Sequence, residues 1–351
     1  MKTTVARRIK SARTLAGFSL RKLSDKMNGL VSYNAILKYE KAQMMPDSKV
    51  MLQLAKALNV KVDYFFMPYN VEINTIEFRK KSRLSVKREK AIKEMMTDSI
   101  SRYIQLEEFL NLSYKFKNPI GNLVIERGND VENAVNKLLS AWQLGINALP
   151  NVIELLEDKE IKVIEVDEDE CFDGFSGWAN DQIPIIVVNK SFSIERKRFT
   201  ALHELGHLVL NFKKSLSAKE IENLCHRFAG AMLMPKETFL KELGEHRNKI
   251  SKAELIAIKE TYGISIQATM HRAKDLEIVN EQRYIGFRKW INADINRKKE
   301  INLGSYLGKE QSNRFKQLLN RAAAEDVISM SKAANLANVK LAVFRDEFFA
   351  L

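Results

Sequence analysis

The amino-acid sequence predicts a multidomain, mainly α chain with a five-helix bundle at its N-terminus, a central α+β domain and a helical C-terminal region. Three observations lead there. The 351 residues leave room for two or three units at ~100 to 200 residues each. The positive charge is concentrated in the first quarter of the chain, and apolar residues recur at helical spacing almost throughout, interrupted by β-branched runs only between residues 161 and 188. A hydrophobic content of 45% argues against disorder despite a formal charge of +13. Two cysteines, Cys171 and Cys225, cannot build a disulfide framework. No apolar run approaches the ~18 residues of a membrane span. The N-terminus lacks a clean apolar stretch with a small-residue cleavage site, so no signal peptide is expected and the cytoplasm is the expected address.

Within the first quarter, apolar residues fall into blocks at Val5 to Leu15, Ser19 to Met27, Ser32 to Tyr39, Ser48 to Leu58 and Val62 to Phe66. Ser19 is expected to cap the second block with Lys22 at its third position, Gly29 to break the chain, and Ser32 to cap the third block. Residues 1–67 hold thirteen Lys and Arg against four Asp and Glu. Residues 78–93 hold eight against one, and the rest of the chain after them sums to about −1. A basic surface so localised favours a polyanion through counterion release.

Leu23, Tyr39-Glu40-Lys41, Pro46, the run Leu54 to Leu58 and the closing Val62-Asp63-Tyr64-Phe65 together resemble the Xre/Cro family of helix-turn-helix repressors. The resemblance implies that the third helix enters the major groove of duplex DNA while the second is anchored on phosphates. The DNA-binding residues would be Ser32, Tyr33, Asn34 and Lys38, with Arg21 and Lys22 beside them; Ala35, Ile36 and Leu37 contain the packing face. Leu20 stands where the family often has a phosphate-contacting Gln, which shifts phosphate anchoring to Arg21 and Lys22.

Between Glu72 and Leu112 the pattern is helical and basic. Pro119, Gly121 and Gly128 mark a connector over Tyr114 to Asp130. Helices are expected at Asn133 to Leu144 and Val152 to Glu157, and strands at Ile161 to Val166, Phe175 to Ala179 and Ile183 to Val188. The acidic stretch Glu154 to Asp173 reads as solvated surface. Then His203, Glu204 and His207 form H-E-x-x-H on a helix flanked by Phe199, Leu202, Leu208 and Leu210. Two imidazoles one turn apart and a third ligand hold Zn²⁺ with a fourth position open, and Glu204 can take the proton of an activated water. A second helix, from about Ser217 to just before Pro235, offers Glu220, Glu222 and His226 as third ligands, the last two on one face. Leu210 and Lys213 stand where a metzincin would need Gly and His.

RFTALHELGHLVL, the following E-x-L-C-H-R-F-A-G-A-M-L-M-P, and the upstream FSGWAN and PIIVVN segments resemble the ImmA/IrrE family of zinc metallopeptidases over roughly residues 80 to 240. The resemblance implies a zincin-like metallopeptidase domain in which Glu222 completes the zinc site, because the family's third ligand precedes a small residue by three, here Cys225. His226 stands where the family commonly has Asn and would support a ligand, donate to the transition state or compete as a ligand. Two imidazoles and a carboxylate suit Zn²⁺ better than Mn²⁺. Phe175 to Asn180 is expected either to pair with an extended substrate or simply to pack in the sheet.

The expected domains are 1–68 (helix-turn-helix), 69–118 (basic helical linker), 119–240 (metallopeptidase) and 241–351 (helical C-terminal region). In the last, two segments resemble short helix-turn-helix elements, but ordinary helix packing is the expectation; His246 and His271 read as loop and surface residues. Taken together, the resemblances imply a DNA-binding transcription regulator with a built-in zinc endopeptidase acting on a partner such as a repressor or cognate toxin, or on itself. The alternative is a non-catalytic transcription factor or antitoxin whose zincin fold binds a partner or senses a signal. A homodimer on a palindromic operator is the matching assembly.

Overall fold

Polar residues just ahead of apolar stretches start the helices of the first unit. In the computed structural model, which describes residues 1–67, 71–73, 85–112, 115–170 and 172–349, Ser19 Oγ accepts the Lys22 N–H at 3.1 Å, Ser32 Oγ the Ala35 N–H at 3.3 Å and Asp47 Oδ1 the Val50 N–H at 2.8 Å. Each satisfies an N–H that the helix leaves without a partner. The helices are α1 (Lys2–Leu15), α2 (Leu20–Lys26), α3 (Tyr33–Glu40) and α4 (Ser48–Leu58), followed by a 3₁₀ turn at Val62–Phe66 where a fifth helix was expected. Gly29, at φ +69°, turns the chain after α2. Ile9, Leu23, Ile36, Leu54 and Phe65 form the centre of the bundle.

Helix α5 (Val86–Phe109) packs on α1, where the buried Arg8 donates to Asp98 at 2.7 Å and Ser11 donates to Glu94. The expected linker helix is therefore part of the first unit. Residues 78–84 of the basic run and Cys171 lie outside the described residues; Cys225 is buried.

The second unit contains β1 (Val124–Ile125), α6 (Gly128–Trp142), α7 (Val152–Asp158), β2 (Lys162–Val166), β3 (Gly174–Ala179), β4 (Ile183–Asn189), α8 (Ile194–Val209), β5 (Asn211–Phe212) and α9 (Ala218–Leu233). It continues through α10 (Lys236–Leu243), α11 (Lys252–Tyr262), α12 (Ile266–Asp275), α13 (Glu281–Asn292) and α14 (Ile295–Lys298). The strand order is β2-β4-β3, with β2 parallel and β3 antiparallel to β4. Central β4 is buried along Pro184 to Asn189, consistent with its nearly unbroken apolar run. β1 and β5 pair in parallel inside and beyond the expected connector.

After α14 the chain crosses the second unit as a strap, fastened by buried carboxylates. Glu300 accepts the Ile266 and Gln267 N–H groups at the start of α12 and pairs with Lys259 at 3.0 Å. Glu310 accepts the Val152 and Ile153 N–H groups at the start of α7 and pairs with Arg198 of α8. Both helices thus receive an anionic cap from a distant segment.

The last helices, α15 (Arg314–Ala324), α16 (Met330–Leu336) and α17 (Leu341–Phe349), return to the first unit, where Leu318, Leu319, Ala322, Leu336 and Phe344 share a core with Tyr103 and Leu106 of α5. The contacts accordingly divide the chain into two units, the described residues within 1–73, 85–112 and 315–349, and those within 115–314. The region expected as one C-terminal segment, 241–351, is shared between them. Asn338, at φ +58°, makes the tight α16–α17 turn, and the outward residues Asp346 and Glu347 accompany a helix whose buried side packs in this core. No helix among the described residues is long and apolar enough to cross a membrane.

Candidate metal centre and DNA-reading face

Helix α8 lies between the sheet and α9. Its period puts His203 and His207 on one face, with Nε2 atoms 3.1 Å apart. Helix α9 approaches closely at Gly206, and Glu222 brings Oε1 to 3.2 Å from His207 Nε2 and Oε2 to 3.6 Å from His203 Nε2. Ligand atoms of these three residues lie within 4.8 Å of one another. Tetrahedral bonds of ~2.0 to 2.1 Å give ligand–ligand edges of about 3.3 to 3.4 Å. The three separations bracket that edge, so the donor set fits a tetrahedral ion. Side-chain exposures of 2% for His203, 18% for His207 and 34% for Glu222 give the cluster a buried floor and an open side.

Glu220, one of the three alternatives, is used elsewhere. Its carboxylate accepts the Ser217 N–H at 2.8 Å and the Ser217 hydroxyl at 2.6 Å, closing a capping box at the start of α9. Those hydrogen bonds, the hydroxyl's first, hold its pKa below the ordinary carboxylate value. His226 lies one turn beyond Glu222 with its ring 4.4 Å from the His203 ring and stacked on Phe199 at 5.8 Å. It is exposed at the rim, outside the close cluster of three.

Glu204 points to the opposite neighbour. It is buried, at 3% exposure, and its Oε2 accepts a 2.9 Å hydrogen bond from Ser176 Oγ. Strand β3 and α8 run in step here, because two strand residues rise ~6.6 Å and four helix residues ~6.0 Å. Gly174 meets Thr200, where a Cβ would come within 2.8 Å of Cγ2, and Ser176 meets Glu204 one helical turn later. Sequence reasoning missed Ser176; the available signal was a polar residue on the inward register of a strand otherwise apolar on that side. Among the described residues β3 is an edge of the sheet.

On the first unit, Arg21, Lys22, Ser32, Tyr33, Asn34 and Lys38 are all exposed, while Ile36 and Tyr39 are buried and Ala35 and Leu37 half-buried. The Arg21 guanidinium lies 5.4 Å from the Tyr33 ring centre, joining the starts of α2 and α3, and the Lys22 ammonium 5.1 Å from that of Phe18. Ser32 is committed to capping α3. Leu20 packs against the bundle. Arg13 grips Glu40 through two hydrogen bonds, 2.5 and 2.9 Å, fixing the far end of α3 to α1. His246 is exposed in a loop, and His271 is a surface residue beside Asp275 and Tyr284.

Residues 9–65 match the family model described as helix-turn-helix, and residues 157–274 match a peptidase family model described as the IrrE N-terminal-like domain. The second match reaches into α12, beyond the stretch that carried the sequence resemblance. No curated protein matches the chain.

Proposed function

We propose that this chain, a helix-turn-helix domain fused to an IrrE N-terminal-like domain, is a DNA-binding regulator carrying a zinc-dependent endopeptidase that cuts a specific regulatory partner or the chain itself. The observation that carries the reading is the convergence of His203, His207 and Glu222 at tetrahedral edge lengths beside a buried Glu204.

His203, His207 and Glu222 would hold the ion. Zinc, when bound, supplies a Lewis acid for the scissile carbonyl and lowers the pKa of water to about 7. Glu204 accepts the proton of the attacking water and returns it to the departing amine, so one carboxylate serves both halves of amide hydrolysis. Among the described residues β3 is an edge strand, and that edge can pair with the backbone of an extended substrate and present it along α8. On the first unit, Asn34 and Lys38 read base edges while Arg21 and Lys22 anchor on phosphates. Cutting a repressor or a cognate toxin, or the chain itself, would then change transcription at the bound operator.

The test uses purified wild type, His203→Ala and Glu204→Gln, incubated with zinc, operator DNA and candidate partners. Zinc is expected near one per chain in wild type, absent in His203→Ala and retained in Glu204→Gln, with cleavage only in wild type. Cleavage unchanged in Glu204→Gln excludes the mechanism. Zinc bound without cleavage of any partner favours the non-catalytic sensing or binding module.

A further inference from the structure

We infer that Ser176 is a positioning residue for Glu204, holding the carboxylate in the orientation from which it handles the proton. The inference rests on the peptidase reading above.

A carboxylate turns about a broad, roughly twofold terminal torsion, so burial alone leaves its two oxygens poorly oriented. The Ser176 hydroxyl removes that freedom by donating to Oε2 at 2.9 Å. An ionised carboxylate offers about four acceptor sites, so one donated hydrogen bond does not use up its capacity to take a proton. The hydroxyl has little other reason to be there. Ser176 is 9% exposed and pairs with Ile186, in a sheet whose central strand runs Ile185, Ile186, Val187, Val188. An unsatisfied hydroxyl in such a place carries a desolvation cost that alanine would not.

Backbone position is equally constrained. Ser176 lies mid-strand, with Gly174 and Trp178 sharing its face, and any side chain at Gly174 would collide with Thr200 and the Val187 carbonyl. The strand is therefore held close against α8 just before the Ser176–Glu204 contact. A peptide added along β3 on the side away from β4 would then take its register from the strand that orients Glu204. One element would set both the substrate carbonyl and the base relative to each other, which is the geometric condition for efficient attack.

The experiment needs no identified substrate. Full-length wild type, Ser176→Ala, Ser176→Thr and Glu204→Gln are loaded with zinc, their metal content is measured, and acetohydroxamate is titrated into each by calorimetry. A hydroxamate chelates zinc through both oxygens and passes its hydroxyl proton to the neighbouring carboxylate, so its affinity reports where that carboxylate stands. With zinc near one per chain throughout, Ser176→Ala should bind acetohydroxamate about tenfold more weakly. Ser176→Thr, which keeps the hydroxyl, should restore binding, and Glu204→Gln should be weaker still. Wild-type affinity in Ser176→Ala, failure of Ser176→Thr to restore it, or loss of zinc from Ser176→Ala would each overturn the positioning role. A wild-type chain that takes up no zinc, or that holds zinc but ignores acetohydroxamate, would instead remove the peptidase reading and the inference with it.

Discussion

Gly206 of α8 and Cys225 of α9 are in close contact: a Cβ on Gly206 would stand 3.4 Å from Cys225 Sγ and, more tightly, 3.2 Å from Phe228 Cδ1. That approach lets Glu222, one turn earlier on α9, reach both imidazoles. Gly206→Val should force the helices apart, costing about 1 to 3 kcal/mol through overpacking and weakening zinc as well. Gly206→Ala is milder, since its gain in helix propensity of about 1 kcal/mol offsets part of the contact. Denaturant unfolding and competitive zinc titration separate the two effects. Loss of stability with unchanged zinc affinity would show that helix spacing does not govern the ligand set.

Glu222 and Glu220 sit on the same helix but do different work, and a matched pair of substitutions should show it. Removing a neighbour of a ligand already costs roughly 10- to 100-fold in metal affinity, so Glu222→Gln should lose at least that much. Glu220→Gln should leave zinc binding intact and loosen only the first turn of α9, where its carboxylate closes the capping box. Equal loss of zinc in both variants would mean that the ligand is misassigned.

What could be read from the sequence followed what is local in the chain. Ser19 and Ser32 cap helices three residues ahead, and His203 and His207 are one helical turn apart, so both patterns are visible without a fold. Strands β2 and β4 are visible in their β-branched runs, whereas β3 has none, and β3 packs in the sheet against β4, one of its two expected roles. Glu222, Glu220 and His226 could not be told apart by spacing, because the distinction depends on which side of α9 faces α8 and on a capping box that diverts Glu220. Ser176 left only the weak signal of a polar residue at an inward strand position, and Glu310 left none. Their partners lie 28 and 112 residues away, joined by strand register and by the strap. The return of α15 to α17 to the first unit has no local signature either, since their apolar stripes would suit any helical partner.

For the DNA-reading face, replacing Asn34 and Lys38 together by Ala should remove sequence preference. A lost bidentate base contact is worth about 1 to 3 kcal/mol of discrimination. Arg21→Ala should instead weaken binding to all sequences alike and reduce the slope of log affinity against log salt by about one. The exposed stack of Arg21 on Tyr33 makes Tyr33→Ala a milder version of the same change. A mobility shift on operator DNA that survives Asn34→Ala with Lys38→Ala would move the reading residues off the start of α3.

Arg198 and Glu310 are both fully buried, and the strap depends on their pairing. Glu310→Ala would strand a guanidinium that, among the described residues, keeps the Leu149 and Tyr262 carbonyls as acceptors, and would also uncap α7. Breaking a buried pair from one side costs about 3 to 5 kcal/mol. Thermal unfolding should register that loss in the second unit, whereas DNA binding at moderate temperature should persist. A change below about 1 kcal/mol would place the pair among ornamental contacts, the range of exposed ion pairs.

Glu157 gives the second unit a pH dependence opposite to that of most carboxylates. Its burial raises its pKa above the ordinary 4.5, and this outweighs the hydrogen bonds donated by the Ser312 hydroxyl at 2.5 Å and the Arg314 N–H at 3.3 Å. The folded chain therefore holds this proton more tightly than the unfolded chain does. Its contribution to stability is complete below about pH 4.5, the unfolded value, and is lost as pH rises through the folded value. Glu254 runs the other way: Ser251 and Arg247 hold its pKa down at about 2, so its contribution is present above 4.5 and is lost on acidification. Glu157→Gln keeps an acceptor for Ser312 but cannot ionise. The Tm of this variant, taken relative to wild type, should rise steadily from pH 4.5 towards neutrality, cancelling the background of all other groups. A difference that stays flat between pH 4 and 8 would show that Glu157 is as easily ionised in the folded chain as in the unfolded one.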